Sequence, residues 1–418
     1  MFAIALPGHH APTVRGSRYL ADNHQQRAPV GSKMRVSIIG AGNCGCAFAA
    51  DLINRGFGVL LYGHPHHRRN IDAIRRDGHL TARMKIEGQF KPTVTTEMAT
   101  AVEFSRVLVV AVPSYGHDDI ISELKDFDLS RHVIVAINAN FFALACSREL
   151  NALTILETNA SPYASWIQKG EVLVAGIKAS LPIAAFPNTL DEKQWSQVAD
   201  IFPQPLQLHN NVFEIGMQSN NGVIHPVAAI LNTGRIESTK GDFFFYRDGI
   251  SSSVGKVIEA VDVERLAIAD ALGFRLQTFL QEMVGFYGGS FDKFADFAFH
   301  TRIHNTTKAT PVHMQDRYVV EDIPYILVPW YELGAKVGVD ARTIKAFVDI
   351  ASAMNGINYF ESGRNLRRLG MAHMSRRELL QFVENATCHS PSSSPSGHVT
   401  PSMESTTFAL ASFGDVGT

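Results

Sequence analysis

Three groups of residues in this sequence have the types and spacing to do chemistry. In Ser219-Asn-Asn-Gly-Val-Ile-His-Pro-Val-Ala-Ala-Ile-Leu-Asn232, Asn221 and His225 stand four positions apart. That spacing puts them on one face of a predicted helix. Pro226 follows the histidine directly, so the helix is expected to start or kink there. Imidazole titrates near neutral pH unaided, which makes His225 an acid–base candidate; a satisfied structural histidine is the alternative. The second group is Arg317, Glu321 and Asp322, within Arg317-Tyr-Val-Val-Glu-Asp-Ile-Pro-Tyr-Ile-Leu-Val-Pro329. Two carboxylates and an arginine beside an apolar, proline-punctuated run predict a partly buried charged constellation, because such charges are costly unless paired.

The third group is Arg35-Val-Ser-Ile-Ile-Gly-Ala-Gly-Asn-Cys-Gly45, followed by a predicted helix from Cys46 to Ile53. In this strand–turn–helix context Gly40 allows the tight turn and Gly42 lets backbone approach a pyrophosphate. Gly45 lets helix and strand pack closely, and the turn, Asn43 included, offers N–H groups at a helix N-terminus to the phosphates. A purely structural glycine turn is the bland reading. An NAD site usually carries an acidic residue about 20 positions after the glycines, on the adenosine ribose. Here the stretch is Tyr62-Gly-His-Pro-His-His-Arg-Arg69, without a carboxylate. Arg68 and Arg69 suit a 2′-phosphate, so NADP is the expected cofactor and NAD the alternative. His64, His66 and His67 have no further ligand nearby in the sequence, and no metal is expected.

Pro113 closes the buried run Arg106-Val-Leu-Val-Val-Ala-Val-Pro113, where parallel sheets bind ligands. Thr158 and Ser161, in Thr158-Asn-Ala-Ser-Pro-Tyr163, carry hydroxyls that can orient a substrate carboxylate at the cofactor edge. A polar loop also exists without any such role.

These groups need elements to position them. The runs at 35–39, 58–62, 106–113, 132–140 and 154–158 read as strands alternating with helices. Residues 83–92 read as an inserted hairpin or loop, and 172–178 with 181–186 as strands that finish the sheet. From about residue 210 the pattern is helical. One helix, with a stripe through Val257, Val261, Leu266, Ile268, Ala269 and Leu272, ends at Gly273. The expected fold class is α/β, a Rossmann-type doubly wound parallel sheet followed by an all-α C-terminal domain. The expected divisions are a disordered extension (1–33), an NAD(P)-binding domain (34–205), a helical substrate domain (206–385) and a disordered Ser/Pro-rich tail (386–418).

Composition bounds the rest. The 418 residues are 45% hydrophobic and 19% charged with a net charge of −2, which suits globular domains and supplies no field for nucleic acid or an anionic membrane. No apolar run approaches the roughly 18 residues of a membrane span, and Met1–His10 lacks the basic segment of a secretory signal. Cys44, Cys46, Cys146 and Cys388 lack zinc-site spacing and read as free thiols of a reducing cytosol. A cytoplasmic protein acting on small molecules is expected, with a homodimer left open.

Taken in order, several motifs resemble the octopine/nopaline (opine) dehydrogenases. They are the glycine fingerprint, Asn221-Gly-Val-Ile-His-Pro226, Phe244-Phe-Tyr-Arg-Asp-Gly249, Val261-Asp-Val-Glu-Arg265, Arg317-Tyr-Val-Val-Glu-Asp-Ile-Pro324, and Gly363-Arg364 with Leu369-Gly370. The resemblance covers residues 34–375. It implies an active site in the cleft between a Rossmann and a helical domain. The implied reaction is NAD(P)H-dependent reductive condensation of an α-keto acid, pyruvate or 2-oxoglutarate, with the amino group of an L-amino acid. It further implies His225 as the catalytic acid/base, Asp322 as the carboxylate that orients it, and Arg317 as a contact to a substrate carboxylate. Asn221, Thr158 and Ser161 complete the expected substrate set. The competing expectations are a 2-keto acid/hydroxy acid reductase that ignores the amine, and a non-catalytic NADP-sensing binding protein.

Overall fold

The computed structural model describes residues 34–187 and 190–385. The expected extension at 1–33, the tail at 386–418 and Cys388 lie outside the described residues.

Twelve strands run in chain order: β1 (Arg35–Ile39), β2 (Gly58–Tyr62), β3 (Leu80–Met84), β4 (Gly88–Phe90), β5 (Thr93–Thr95), β6 (Val107–Val110), β7 (Val133–Ala136), β8 (Thr154–Thr158), β9 (Tyr163–Gln168), β10 (Glu171–Ile177), β11 (Leu181–Phe186) and β12 (Leu206–Leu208). Eight form one sheet in the order β12-β11-β8-β7-β6-β1-β2-β5. It is parallel from β5 through β8, and β11 enters antiparallel to β8. β6 and β7 are buried along their whole length, as expected of strands covered on both faces. Because Ile39 pairs with both Tyr62 and Val110, the carboxyl ends of β1, β2 and β6 finish level. The glycine turn and the residues after β6 therefore open at one edge. β12 belongs to this sheet and lies just past the expected domain border at 205.

One expectation fails here. Residues 172–178 were expected to help finish the main sheet, whereas β10 lies in a separate four-stranded sheet, β4-β3-β10-β9. The burial pattern supplies the reason. In β10 Val172 and Val174 are buried while Leu173 and Ala175 are not, the alternation of a strand with one covered face. β11, buried throughout, takes the central place. The segment 83–92 does form a hairpin, β3 with β4.

From Val212 onward the described chain is helical. The helix Asn220–Leu231 runs through Pro226 and begins six residues before it, so Pro226 does not start it. Burial of Val223, Ile224, Val227, Ala228 and Ala229 outweighs the one backbone hydrogen bond that proline forfeits. The helix Ser252–Ala271 is followed by Gly273 at φ +92, as expected. Within it Arg265, fully buried, bonds to Asp262 (2.8 Å), Met217 O (2.8 Å) and Gln277 O (2.9 Å), and Asp262 accepts the Phe279 N–H (2.7 Å). The Val261–Arg265 motif is thus a fastener between helices. Among the described residues no helix is long and apolar enough to cross a membrane.

Candidate active site

His225 sits on the helix Asn220–Leu231, and Asp322 just before the π-helical turn Ile323–Leu327. Gly222 lets these two elements touch: a Cβ there would lie 2.4 Å from Ile326 Cγ2. The close packing brings His225 Nδ1 to 2.8 Å from Asp322 Oδ2. Asp322 is fully buried, and its other oxygen has no partner among the described residues. Tyr318 stacks on the imidazole with centroids 3.9 Å apart and planes 11° from parallel. The ring is thereby held by its face and by one nitrogen. Nδ1–H donating to the carboxylate leaves Nε2 as an acceptor. Burial, followed by the charge of Arg317, pushes His225 down to about 3. Burial and then Glu321 push Asp322 up. Both shifts disfavour charge on this buried pair, so the imidazole is neutral at pH 7.

The remaining charges bridge the two halves of the chain. Arg317 Nε donates to Glu321 Oε2 at 3.2 Å. Glu321 Oε1 accepts the backbone N–H of Ser114 at 2.9 Å and its hydroxyl at 3.1 Å. Asn140 donates to the Ser114 hydroxyl (2.9 Å) and accepts from Ser219 (2.8 Å), one residue before the histidine's helix. Arg364 bonds to Asn140 O at 2.6 Å and His117 Nδ1 at 3.1 Å. Pro113 itself is exposed at the mouth, next to this bolt.

The glycine turn fits a dinucleotide. Gly40 is at φ +119, and a Cβ there would lie 2.6 Å from Ala111 O. A Cβ on Gly45 would lie 1.8 Å from Gly40 O, which is the close strand–helix packing expected of that position. A Cβ on Gly42 would meet nothing within 4 Å, so space remains where a pyrophosphate would approach. The helix Asn43–Asn54 has no side-chain cap and no acid in its first turn, leaving its N–H groups available to an anion. Asn43 spends its side chain elsewhere, accepting the Ile167 N–H at 2.9 Å.

At the end of β2 the expected arginines divide. Arg68 forks onto Asp72 (3.1 and 3.2 Å), while Arg69 is exposed at the first position of the helix Arg69–Asp77. A carboxylate does stand here, which local sequence did not reveal. Glu123 accepts the Tyr62 hydroxyl (2.7 Å) and lies 3.1 Å from His64 Nε2. Among the described residues no group of three His, Cys, Asp or Glu is placed to hold a metal.

Thr158 and Ser161 do not join the histidine. Thr158 Oγ1 donates to Ala160 O (2.9 Å) and accepts from Asn138 N–H (3.1 Å), and Ser161 bonds to Tyr163 O (2.9 Å). Thr158 thus ties its loop to the residue after Ile137, and Ser161 also donates to Cys44 Sγ of the glycine turn at 3.4 Å. Asn221 lies half-buried one turn before His225, with no hydrogen-bond partner among the described residues. Sequence reasoning missed Tyr318, Glu321's partner Ser114, and Asn140. Tyr318 carried one signal, its place beside Arg317 in the charged motif.

Comparison with known proteins identifies relatives of both halves of the chain. Residues 208–355 match the family described as NAD/NADP octopine/nopaline dehydrogenase, alpha-helical domain. Residues 35–140 match the family described as NADP oxidoreductase, coenzyme F420-dependent. Protein ocs of Agrobacterium vitis is 30% identical over 356 residues, covering 84% of this chain and 99% of that one. Opine dehydrogenase of an Arthrobacter species is 28% identical over 358 residues, covering 83% and 98%. A solved octopine dehydrogenase bound to NADH and L-arginine superposes with a TM-score of 0.65 at 16% identity, covering 86% of this chain and 100% of that one.

Proposed function

This chain belongs to the octopine/nopaline dehydrogenase family and is an NAD(P)-dependent oxidoreductase, and from that premise we propose that it reductively joins an α-keto acid to the amino group of an L-amino acid. The observation that carries the reading is the 2.8 Å contact between His225 Nδ1 and Asp322 Oδ2, with Nε2 left unpaired. In this reading the nicotinamide, when bound, supplies the hydride, and the chain does the rest. The turn Gly40–Gly45 holds the pyrophosphate, and Arg68 and Arg69 the 2′-phosphate of NADP. His225 Nε2 takes a proton from the incoming ammonium so that its nitrogen can attack the keto carbon, and returns a proton as water departs. Asp322 keeps the ring in one tautomer and stabilises the imidazolium that forms. Arg317, with one edge spent on Glu321, offers its remaining N–H groups to a substrate carboxylate. Pyruvate and 2-oxoglutarate are the keto acids of this reading, and Asn221 its further polar contact on the histidine's helix face.

The test is NADPH and NADH consumption with pyruvate or 2-oxoglutarate, each with and without a panel of L-amino acids. Oxidation that requires the amine supports the reading. Oxidation indifferent to the amine replaces it with a keto acid/hydroxy acid reductase. Replacing both Arg68 and Arg69 by Ala should weaken NADPH by about 10-fold or more and leave NADH unchanged.

A further inference from the structure

Lys178 follows β10 at the margin of the sheet half, and its backbone N–H donates to Pro162 O at 3.0 Å. Its side chain crosses to the helical half. The ammonium lies 4.6 Å from the ring centre of Phe286 and 5.9 Å from that of Tyr287, both on the helix Phe279–Tyr287. Tyr287 meets His304 edge-on at 4.7 Å, and His304 stacks on Tyr246 at 4.3 Å. Tyr246 packs on Phe245 at 6.0 Å, and Phe245 lies 6.4 Å from His225. A continuous aromatic wall therefore runs from the acid–base histidine to Lys178.

Among the described residues this cation has no counter-ion within ion-pair distance, and none of its contacts is a hydrogen bond from Nζ. Glu282 acts on it only at longer range. Aromatic faces solvate an ammonium partially, and a half-buried charge without an anion is costly. The arginines nearest the histidine are engaged: exposed Arg317 with Glu321, and buried Arg364 with backbone oxygens. The two free cationic edges are also unequally placed. Tyr318, next to Arg317 in sequence, stacks directly on His225, whereas Tyr287, His304, Tyr246 and Phe245 intervene along the wall before Lys178. Lys178 therefore stands at the far end of the wall from the histidine.

We propose that Lys178 anchors a second, distal carboxylate, so that the substrate pair of this enzyme includes a dicarboxylic acid. Arg317 takes the carboxylate beside the reacting carbon and Lys178 the one at the far end of the chain. The distal carboxylate belongs either to a 2-oxoglutarate-like keto acid or to an acidic amino acid. This inference rests on the opine-type reading of the same cleft, because it assigns Arg317 to the near carboxylate.

The experiment titrates the NADPH-bound enzyme with 2-oxoglutarate, pyruvate, L-glutamate and L-glutamine, following the fluorescence of bound NADPH. The same four compounds are then used in steady-state turnover. Lys178→Met keeps the apolar stem over Phe286, and Lys178→Arg keeps the charge. One dicarboxylate should bind the native enzyme at least 10-fold more tightly than its monocarboxylate or amide counterpart. Lys178→Met should abolish that ratio, raising KM for the dicarboxylate about 10- to 100-fold, with kcat for the counterpart and the melting temperature unchanged. Lys178→Arg should restore most of it. The compound pair that responds identifies which substrate carries the distal carboxylate. An unaltered ratio in Lys178→Met, or an equal loss for all four compounds, overturns the proposal. Failure of the opine reading shows differently, as amine-independent NADPH oxidation by the native enzyme, while the binding ratios still decide the role of Lys178.

Discussion

Glu321 Oε1 accepts both the N–H and the hydroxyl of Ser114, at 2.9 and 3.1 Å, across 207 positions of sequence. One carboxylate thus ties the residue before Asp322 to the residue after Pro113. It joins the turn that carries Asp322 to the carboxyl edge of the sheet. Its other oxygen holds Arg317. Glu321→Leu should release both. A misplacement of about 1 Å at a reacting centre costs on the order of 10²-fold, so kcat/KM should fall by about that much in steady-state assays.

The histidine–aspartate pair predicts a separation of binding from turnover. His225→Ala should lower kcat by roughly 10²- to 10⁴-fold, and Asp322→Asn should lower it through the wrong tautomer. NADPH affinity, measured by fluorescence titration, should stay at the native value in both, because neither residue belongs to the glycine turn. Full turnover by His225→Ala would falsify the proposed mechanism.

Gly42 and Gly45 should respond to alanine in opposite ways. At Gly45 the new Cβ would lie 1.8 Å from Gly40 O, so Gly45→Ala should fail to accumulate as folded protein or melt far below the native chain. At Gly42 the added methyl meets nothing within 4 Å and the backbone sits at φ −86, open to any residue. Gly42→Ala should therefore melt normally yet weaken NADPH by about 10-fold, roughly 1.4 kcal/mol. Melting curves and cofactor titrations on the two variants separate packing from phosphate approach.

Asp262 and Arg265 carry stability and not chemistry. Asp262→Leu leaves a fully buried guanidinium without its carboxylate, which costs about 3–5 kcal/mol. Denaturant unfolding should register that loss. The KM values of the folded fraction should be unchanged.

Acid should unfold this protein through its buried histidines. Burial is the largest cause lowering His225 and His304 to about 3, from an ordinary value of 6.5, and it lowers His117 as well. Between pH 6.5 and 3 the unfolded chain binds protons that the folded chain refuses, so these groups remove stability as pH falls. Burial raises Glu157 and Glu282 to about 7 from 4.5, and these two act in the opposite sense between pH 4.5 and 7. Asp322, raised from 3.8, acts with the two glutamates; as pH falls past these ordinary carboxyl values their opposition ends, and carboxylates held low, such as Glu214, add to the histidine loss. Chemical denaturation from pH 7 to pH 3.5 should therefore show a shallow dependence followed by a steep fall.

Much of this protein was legible in its sequence because the signals are local. The glycine turn is specified by three residues within six positions, since backbone approach and tight packing there exclude a side chain. The motifs around His225, Asp322 and Arg317 likewise marked residues that the fold brings into contact, and the burial of β6 and β7 is written in their unbroken apolar runs. What the tertiary structure decided is every relation between distant segments. The alternation of β10 was readable, but its partner β3, about 90 positions earlier, was not. Thr158 and Ser161 had the right hydroxyls, and only the folded chain shows them engaged by backbone and by Asn138 N–H and Cys44. The carboxylate beside His64 comes from Glu123, the bolt on Glu321 from Ser114, and the aromatic wall under Lys178 from a helix a hundred residues downstream. The physical reason is the range of the interactions. Turn geometry and strand burial act within a few residues, whereas charge pairing and ring packing depend on which surfaces the finished fold brings to one edge.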